Sequence, residues 1–182
     1  MASKIKVDQL ETADGTGTIA LQNQLSGMTS ASMPTGAVLQ VVQGKGFSSW
    51  STNSTSWSNT GVTAAITPSS TSSKILVMVS IIFSFSTATR PRGGFRLHRD
   101  DNTIVAGTSD EGFHVHSLGS GGEYRAHMAF NYLDSPNSTS SQDYWIEGRT
   151  NAGQDTTSIG GHGGAGGSFV NPTTITLIEI AG

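Results

Sequence analysis

Cysteine is absent from all 182 residues, which excludes a disulfide framework and any thiolate metal site. Charge is scarce as well. Only 13% of residues are charged and the net charge is -3, so no strong field draws the chain to nucleic acid or to an anionic membrane surface, and solubility must come from hydroxyls and amides. Neither a nucleic-acid nor a membrane partner is expected. Long apolar stretches are missing with one exception, Ile75-Leu76-Val77-Met78-Val79-Ser80-Ile81-Ile82-Phe83-Ser84-Phe85. At about eleven residues this run is too short for a membrane-spanning helix, and Pro68 with its Ser/Thr neighbours prevents a helix from extending backward. The segment Met1-Ala2-Ser3-Lys4-Ile5-Lys6 has no apolar run behind its lysines. An ordinary secretory signal is therefore not expected, and the chain is read as made and used without Sec export.

What remains is rich in Ser, Thr and Gly, with 23 glycines, a composition that disfavours long helices and suits short strands joined by turns. The fold class expected is all-β, and the 35% hydrophobic content can fill one core. The apolar run, β-branched and aromatic and bounded by turn-forming clusters, predicts a central strand buried on both faces. Further strands are predicted at Val38 to Val42, Val62 to Ile66, Phe95 to Arg99, Thr103 to Ala106, Tyr124 to Leu133, Asp143 to Arg149 and Thr173 to Ile180, with Asp100-Asp101-Asn102 closing a hairpin. In the last of these, Ile175 and Leu177 share one face and Ile178 and Ile180 the other, so it needs a core and is expected beside the central strand or nearby. About eight strands of this kind point to a jelly-roll-like β-sandwich over residues 36–182.

Residues 1–35 differ. Ile5, Val7, Leu10, Ile19 and Leu21 are apolar anchors in short extended pieces, but they are too few for a core, and small polar residues lead to Pro34 and Gly36 as a linker. Such an arm gains order by pairing with a neighbouring surface, because main-chain hydrogen bonds and a few buried side chains must outweigh about 1–2 kcal/mol of backbone entropy per residue. Otherwise it is a frayed terminus.

Several blocks in order, "KIKVDQLETADGTGTIALQNQLSGM", "MPTGAVLQVVQ", "ITPSSTSSKILVMVSI", "FRLHRDDNTIVAG", "LDSPNSTSSQDYWIEGRT" and "TITLIEIAG", together resemble fibre and other virion structural proteins of tailed phages, especially those of marine cyanobacteria. The resemblance covers nearly the whole chain and carries no catalytic motif. It implies an oligomeric virion component, assembled in the host cytoplasm, whose arm attaches to other virion proteins of capsid or tail while the β-domain projects. A homotrimer is expected from the resemblance, the low charge and the apolar positions of the arm, with Ile5, Val7, Leu10, Ile19 and Leu21 as attachment residues.

Candidate sites are few. Exposed aromatics on a rigid sandwich can stack on sugar rings; Trp50 and Trp57, set in a Ser/Thr/Asn tract, are the better surface candidates, with Trp145 a further one for a host-surface glycan. Core packing is the competing role for each. His114 and His116, two residues apart, fall on one face of an extended segment and could ligate Zn or Ni around a threefold axis, but two ligands do not make a site, and a polar strand edge explains them. His162 lies in a glycine tract without the strand–turn–helix context of a phosphate cradle. Nothing in the spacing brings two of Glu111, Glu123, Glu147, Glu179, Asp110, Asp134, Asp143 and Asp155 into a glycosidase pair, and no Gly-x-Ser-x-Gly elbow occurs. No enzymatic activity and no cofactor are expected.

Overall fold

The computed structural model describes residues 33–46, 50–87, 92–100, 102–105, 112–116, 122–151, 156–160, 163–164, 167–168 and 173–182. The five arm anchors, Ile5, Val7, Leu10, Ile19 and Leu21, and His162 lie outside them. The described residues form thirteen strands: β1 (Val38–Gly46), β2 (Trp50–Thr52), β3 (Ser58–Ile66), β4 (Lys74–Thr87), β5 (Arg92–Arg99), β6 (Asn102–Val105), β7 (Phe113–His116), β8 (Gly122–Asp134), β9 (Gln142–Thr150), β10 (Thr156–Ile159), β11 (Gly163–Gly164), β12 (Gly167–Ser168) and β13 (Thr173–Ile180). Among the described residues there is no helix.

The long strands form two antiparallel sheets packed as a sandwich. In sheet A, β4 is the centre: one edge pairs with β8, from Ile75↔Asp134 to Thr87↔Gly122, and the other with β13 and then β10. Outside β13 lies β1, and outside β10 lies β2. Sheet B runs β3-β9-β5, with β6 and β7 sharing the far edge of β5. The chain changes sheet between β2 and β3, β3 and β4, β4 and β5, β7 and β8, β8 and β9, and β9 and β10, so its connections cross repeatedly between the two layers of the sandwich. The described residues of the glycine tract contribute the small β11–β12 pair.

Between the sheets lies one apolar core. Sheet A supplies Ile75, Val77, Val79, Ile81, Phe83, Phe85, Ile175 and Leu177, and sheet B supplies Val62, Ile66, Phe95, Leu97, Tyr144 and Ile146. Phe83 packs on Phe85 and Phe95 with ring centroids 5.1 and 5.6 Å apart, tilted geometries that suit aromatic quadrupoles. Phe113 and Phe130 stack at 4.3 Å from opposite sheets and close one side. At the opposite edge β1 meets β3 so closely that a Cβ on Gly44 would collide with the Thr63 carbonyl oxygen.

One expectation is corrected here. β4 is buried on one face only: Ile75, Val77, Val79, Ile81, Phe83 and Phe85 point inward, whereas Leu76, Ile82 and Met78 on the other face are half-buried or exposed. Exposure alternates from Ile75 to Phe83, with Ser84 on the outer face buried as well, and this makes the sheet one of two layers rather than the middle of three.

Two buried carboxylates tie the layers. Glu179, fully buried on β13, accepts hydrogen bonds from the Ser69 amide (2.7 Å), Ser69 Oγ (2.7 Å), Ser73 Oγ (2.7 Å) and Gln40 Nε2 (2.6 Å). The Ser-rich connection before β4 is thereby fastened to β13 and β1. At the end of β8, Asp134 Oδ2 accepts from Tyr144 Oη at 2.8 Å and from Arg99 Nη1, joining sheet A to two strands of sheet B. Burial, followed by the Asp134 carboxylate, pushes the Tyr144 phenol well above its ordinary pKa, so it stays a donor.

Burial alone would raise the pKa of Glu179, but the hydrogen bonds from Ser69, Gln40 and Ser73 outweigh it and hold the carboxyl below the usual range. A folded-state pKa below the unfolded one gives stability that is complete above about pH 4.3 and is lost as pH falls beneath it. Glu179→Gln is expected to lower stability by about 2–3 kcal/mol at neutral pH, by leaving buried hydroxyl and amide donors mismatched, and to flatten the acid limb; urea unfolding of both proteins from pH 7 to pH 3 measures the two effects. Deleting residues 173–182 removes the strand between β1 and β4 and is expected to abolish soluble folding, read by the loss of a cooperative melting transition.

Candidate functional site

The outer faces of the two sheets differ in chemistry. On sheet B, β9 presents Trp145, Glu147 and Arg149 outward, beside Arg96 and His98 of the paired strand β5. Cross-strand neighbours on one face interact, and here they form a connected cluster. Glu147 Oε2 lies 2.7 Å from Arg96 Nε and 3.0 Å from His98 Nε2. His98 stacks on Trp145 with centroids 5.4 Å apart. Trp57, on the connection between β2 and β3, lies against both guanidiniums, 4.5 Å from Arg96 Cζ and 4.7 Å from Arg149 Cζ. Two guanidiniums on one indole make a cation–π clamp that holds the ring to the sheet.

Burial, the largest influence, lowers the His98 pKa below its ordinary value, with Glu147 opposing and Arg96 reinforcing. The imidazole is therefore neutral at neutral pH. Trp57 Nε1 and Trp145 Nε1 are both shielded from water and meet no acceptor among the described residues. What this face offers a ligand is thus half-exposed ring surface, while the Glu147 carboxylate is already occupied by two nitrogen donors. The same holds elsewhere: Asp134 and Glu179 are engaged by the partners named above. An aromatic and guanidinium platform suits recognition of a planar or polar surface more than acid–base chemistry.

Of the three tryptophans singled out in the sequence, Trp57 and Trp145 belong to this platform. Trp50 does not. It packs against the core, over Gly148, where an added Cβ would come within 2.6 Å of its ring. The sequence reading missed Arg96, His98, Glu147 and Arg149; the outward alternation of β5 and β9 carries that signal. His114 and His116 lie on β7, where two-residue spacing puts both positions on one face of the strand; their side chains lie outside the described part. Among the described residues no group of three or more His, Asp or Glu is arranged to hold a metal ion. Asp100 adopts φ 48° at the predicted hairpin turn, its amide donating to the Asp143 carbonyl at 2.8 Å and its Oδ1 accepting from the Asp143 amide at 3.0 Å. That is a turn pinned to β9.

Sheet A presents a different surface. Its outward residues on β1, β13, β4 and β8 are mainly aliphatic at one end, and towards the other they include Thr174, Ser80 and Ala129 with the basic side chains Lys45, His127 and Arg125. The chain reaches that apolar end through a turn in which Ala37 donates to the Pro34 carbonyl at 3.0 Å and Gly36, with φ 88°, donates to the Ala181 carbonyl at 2.8 Å. Compared with known proteins, the chain matches no family model and no curated protein.

A nuclear magnetic resonance titration of His98 should show a midpoint below the ordinary imidazole value of about 6.5, and Glu147→Gln should move it further down, because the Glu147 carboxylate raises it. A midpoint at or above the ordinary value contradicts this account. Since the folded-state pKa is the lower one, the His98 contribution to stability is complete above about pH 6.5 and declines as pH falls through the folded value.

Proposed function

We propose that the chain is a structural component of a phage virion, a homotrimeric fibre or knob held to capsid or tail proteins by residues 1–35 and projecting its β-sandwich outward. Two lines support the reading. One is the ordered set of sequence blocks that resembles fibre and virion proteins of tailed phages. The other, which carries most weight, is the polarity of the sandwich: residue 33 leads into β1 at a single pole, fastened by the Gly36–Ala181 and Ala37–Pro34 hydrogen bonds, so a tether there leaves the opposite pole free to face outward. The protein acts by assembly and carries out no reaction. Ile5, Val7, Leu10, Ile19 and Leu21 are the proposed attachment anchors.

A second reading, a glycan-binding module of a tail fibre, is favoured by the Trp57, Arg96, Trp145 and Arg149 surface. It keeps Trp57 and Trp145 as ring contacts and releases Trp50 to the core.

Particles assembled with residues 36–182 alone should lack the protein, whereas the full chain is incorporated; normal occupancy by the truncated form sinks the proposed polarity. Host-cell or glycan-array binding by the purified chain, reduced at least tenfold in Trp57→Ala, would establish the second reading.

A further inference from the structure

We propose that the outer face of sheet B takes an acidic glycan, and that the Arg149 guanidinium, seated on Trp57, is the group that binds the sugar carboxylate. The proposal rests on the glycan-binding reading above and adds the class of sugar. Arg149 is half-buried, and its Cζ lies 4.7 Å from the centre of the Trp57 ring. Among the described residues no carboxylate pairs with it.

Register explains why. Across the β9–β5 ladder Arg149 faces Gly94, which has no side chain to offer. On the other side Ser58 faces Gly148, so Trp57, one residue earlier, falls beside Arg149. The nearest acid on this face of β9, Glu147, is already held by Arg96 Nε at 2.7 Å and by His98 Nε2 at 3.0 Å. Asp143, the next outward acid on the strand, is six residues from Arg149, about 20 Å in extended chain. With His98 neutral, the described side chains of this cluster amount to two guanidiniums and one carboxylate. One positive charge is left uncompensated, in a chain whose net charge is -3.

The form of that charge selects the ligand. A guanidinium lying against an aromatic ring keeps its in-plane N–H donors at the rim, where they match the two oxygens of a carboxylate. Trp145, also half-buried, lies four residues back along β9, about 13 Å away, so a short run of sugar rings can touch the indole with one ring and Arg149 with the carboxylate of another. Between them is Asn59, opposite Glu147. Its Oδ1 accepts from the Gly61 amide at 2.7 Å, which leaves Nδ2 as a donor for a sugar hydroxyl. A lone uncompensated guanidinium suits a carboxylate set among neutral hydroxyls. It does not suit nucleic acid, whose phosphate at every step calls for a basic surface, and this chain is net acidic.

The test is calorimetric titration of the full chain with sialyllactose and with oligogalacturonate, each beside its methyl ester, which removes the charge and keeps the rings. At least one acid should bind about tenfold or more tighter than its ester. Arg149→Gln should bring the two affinities together and leave that of the ester unchanged, whereas Arg125→Gln, on the outer face of the other sheet, should alter neither. If Arg149 serves only to hold Trp57, its loss weakens acid and ester alike, and that result overturns the proposal. Should Arg149→Gln fail to fold, Arg149→Lys, which keeps the charge without the fork, is expected to lower the acid-to-ester ratio several-fold; an unchanged ratio counts against the proposal. Equal binding of acid and ester by the wild type overturns the acidic class and leaves the glycan-binding reading standing. Binding of neither form also overturns it, and host-cell binding then decides the glycan-binding reading separately. Arg149-dependent binding of a single-stranded DNA oligonucleotide in place of the sugars would assign the guanidinium to phosphate and overturn the sugar.

Discussion

Strand β4 is the constraint on which the rest of the molecule depends. It is hydrogen-bonded along both edges, to β8 on one side and to β13 and β10 on the other, and its inward residues alternate without a break from Ile75 to Phe85. Every other strand of sheet A is positioned by it or by a strand that pairs with it. A shift of one residue in its register would turn the six core side chains outward and bring Leu76, Met78, Ser80, Ile82 and Ser84 to the inner face. Such a shift cannot be absorbed locally. The fastening of the Ser-rich connection to Glu179 fixes where the strand begins, and the Asp134 contacts fix where its neighbour β8 ends.

Few charges are available, and their placement is informative. Glu179 and Asp134 sit inside, each satisfied by donors from segments remote in sequence. Removing the donors from such a group is far more damaging than replacing the whole set with apolar residues. These latches therefore add less to net stability than to uniqueness: an apolar core tolerates several packings, while a buried carboxylate with four specific donors tolerates one. The surface cluster of Arg96, Glu147 and Arg149 works differently. Its effect is to hold Trp57 and Trp145 in place.

Much of this was legible in the residues. The strand from Ile75 to Phe85, a further core strand at Ile175 to Ile180 and the Asp100 turn follow from alternation and turn chemistry, whereas the direct pairing of those two strands is supplied by the structure. The short strands were not legible: Trp50 to Thr52 and Thr156 to Ile159 are written in hydroxyl side chains, and they become strands only because each finds an edge of a neighbour already in place. Nor could composition tell that Leu76, Met78 and Ile82 lie outside, since they are as apolar as their inward neighbours. The covering layer, not the side chain, decides burial. Trp50 misled for the reverse reason, because a Ser/Thr/Asn tract resembles a loop whether or not one of its two large rings turns into the core. Of the platform on sheet B, only the tryptophans stood out; Arg96, His98 and Glu147 look like the ordinary wet side of a strand until β5 and β9 are set side by side.

The close approach of β1 to β3 at Gly44 has a mechanical side. Tension that reaches the sandwich through residue 33 enters at Val38 and, when it runs along the strand axis, loads the β1–β13 ladder in shear, so that its eight paired positions from Val38↔Ile180 to Gly46↔Thr173 resist together rather than peeling one by one. For β1 to slip towards residue 33, Lys45 would have to take the place beside the Thr63 carbonyl that Gly44 fills without a side chain. The missing Cβ thus works as a detent: it admits the strand in one position, and resistance to pulling comes from steric jamming as well as from hydrogen bonds.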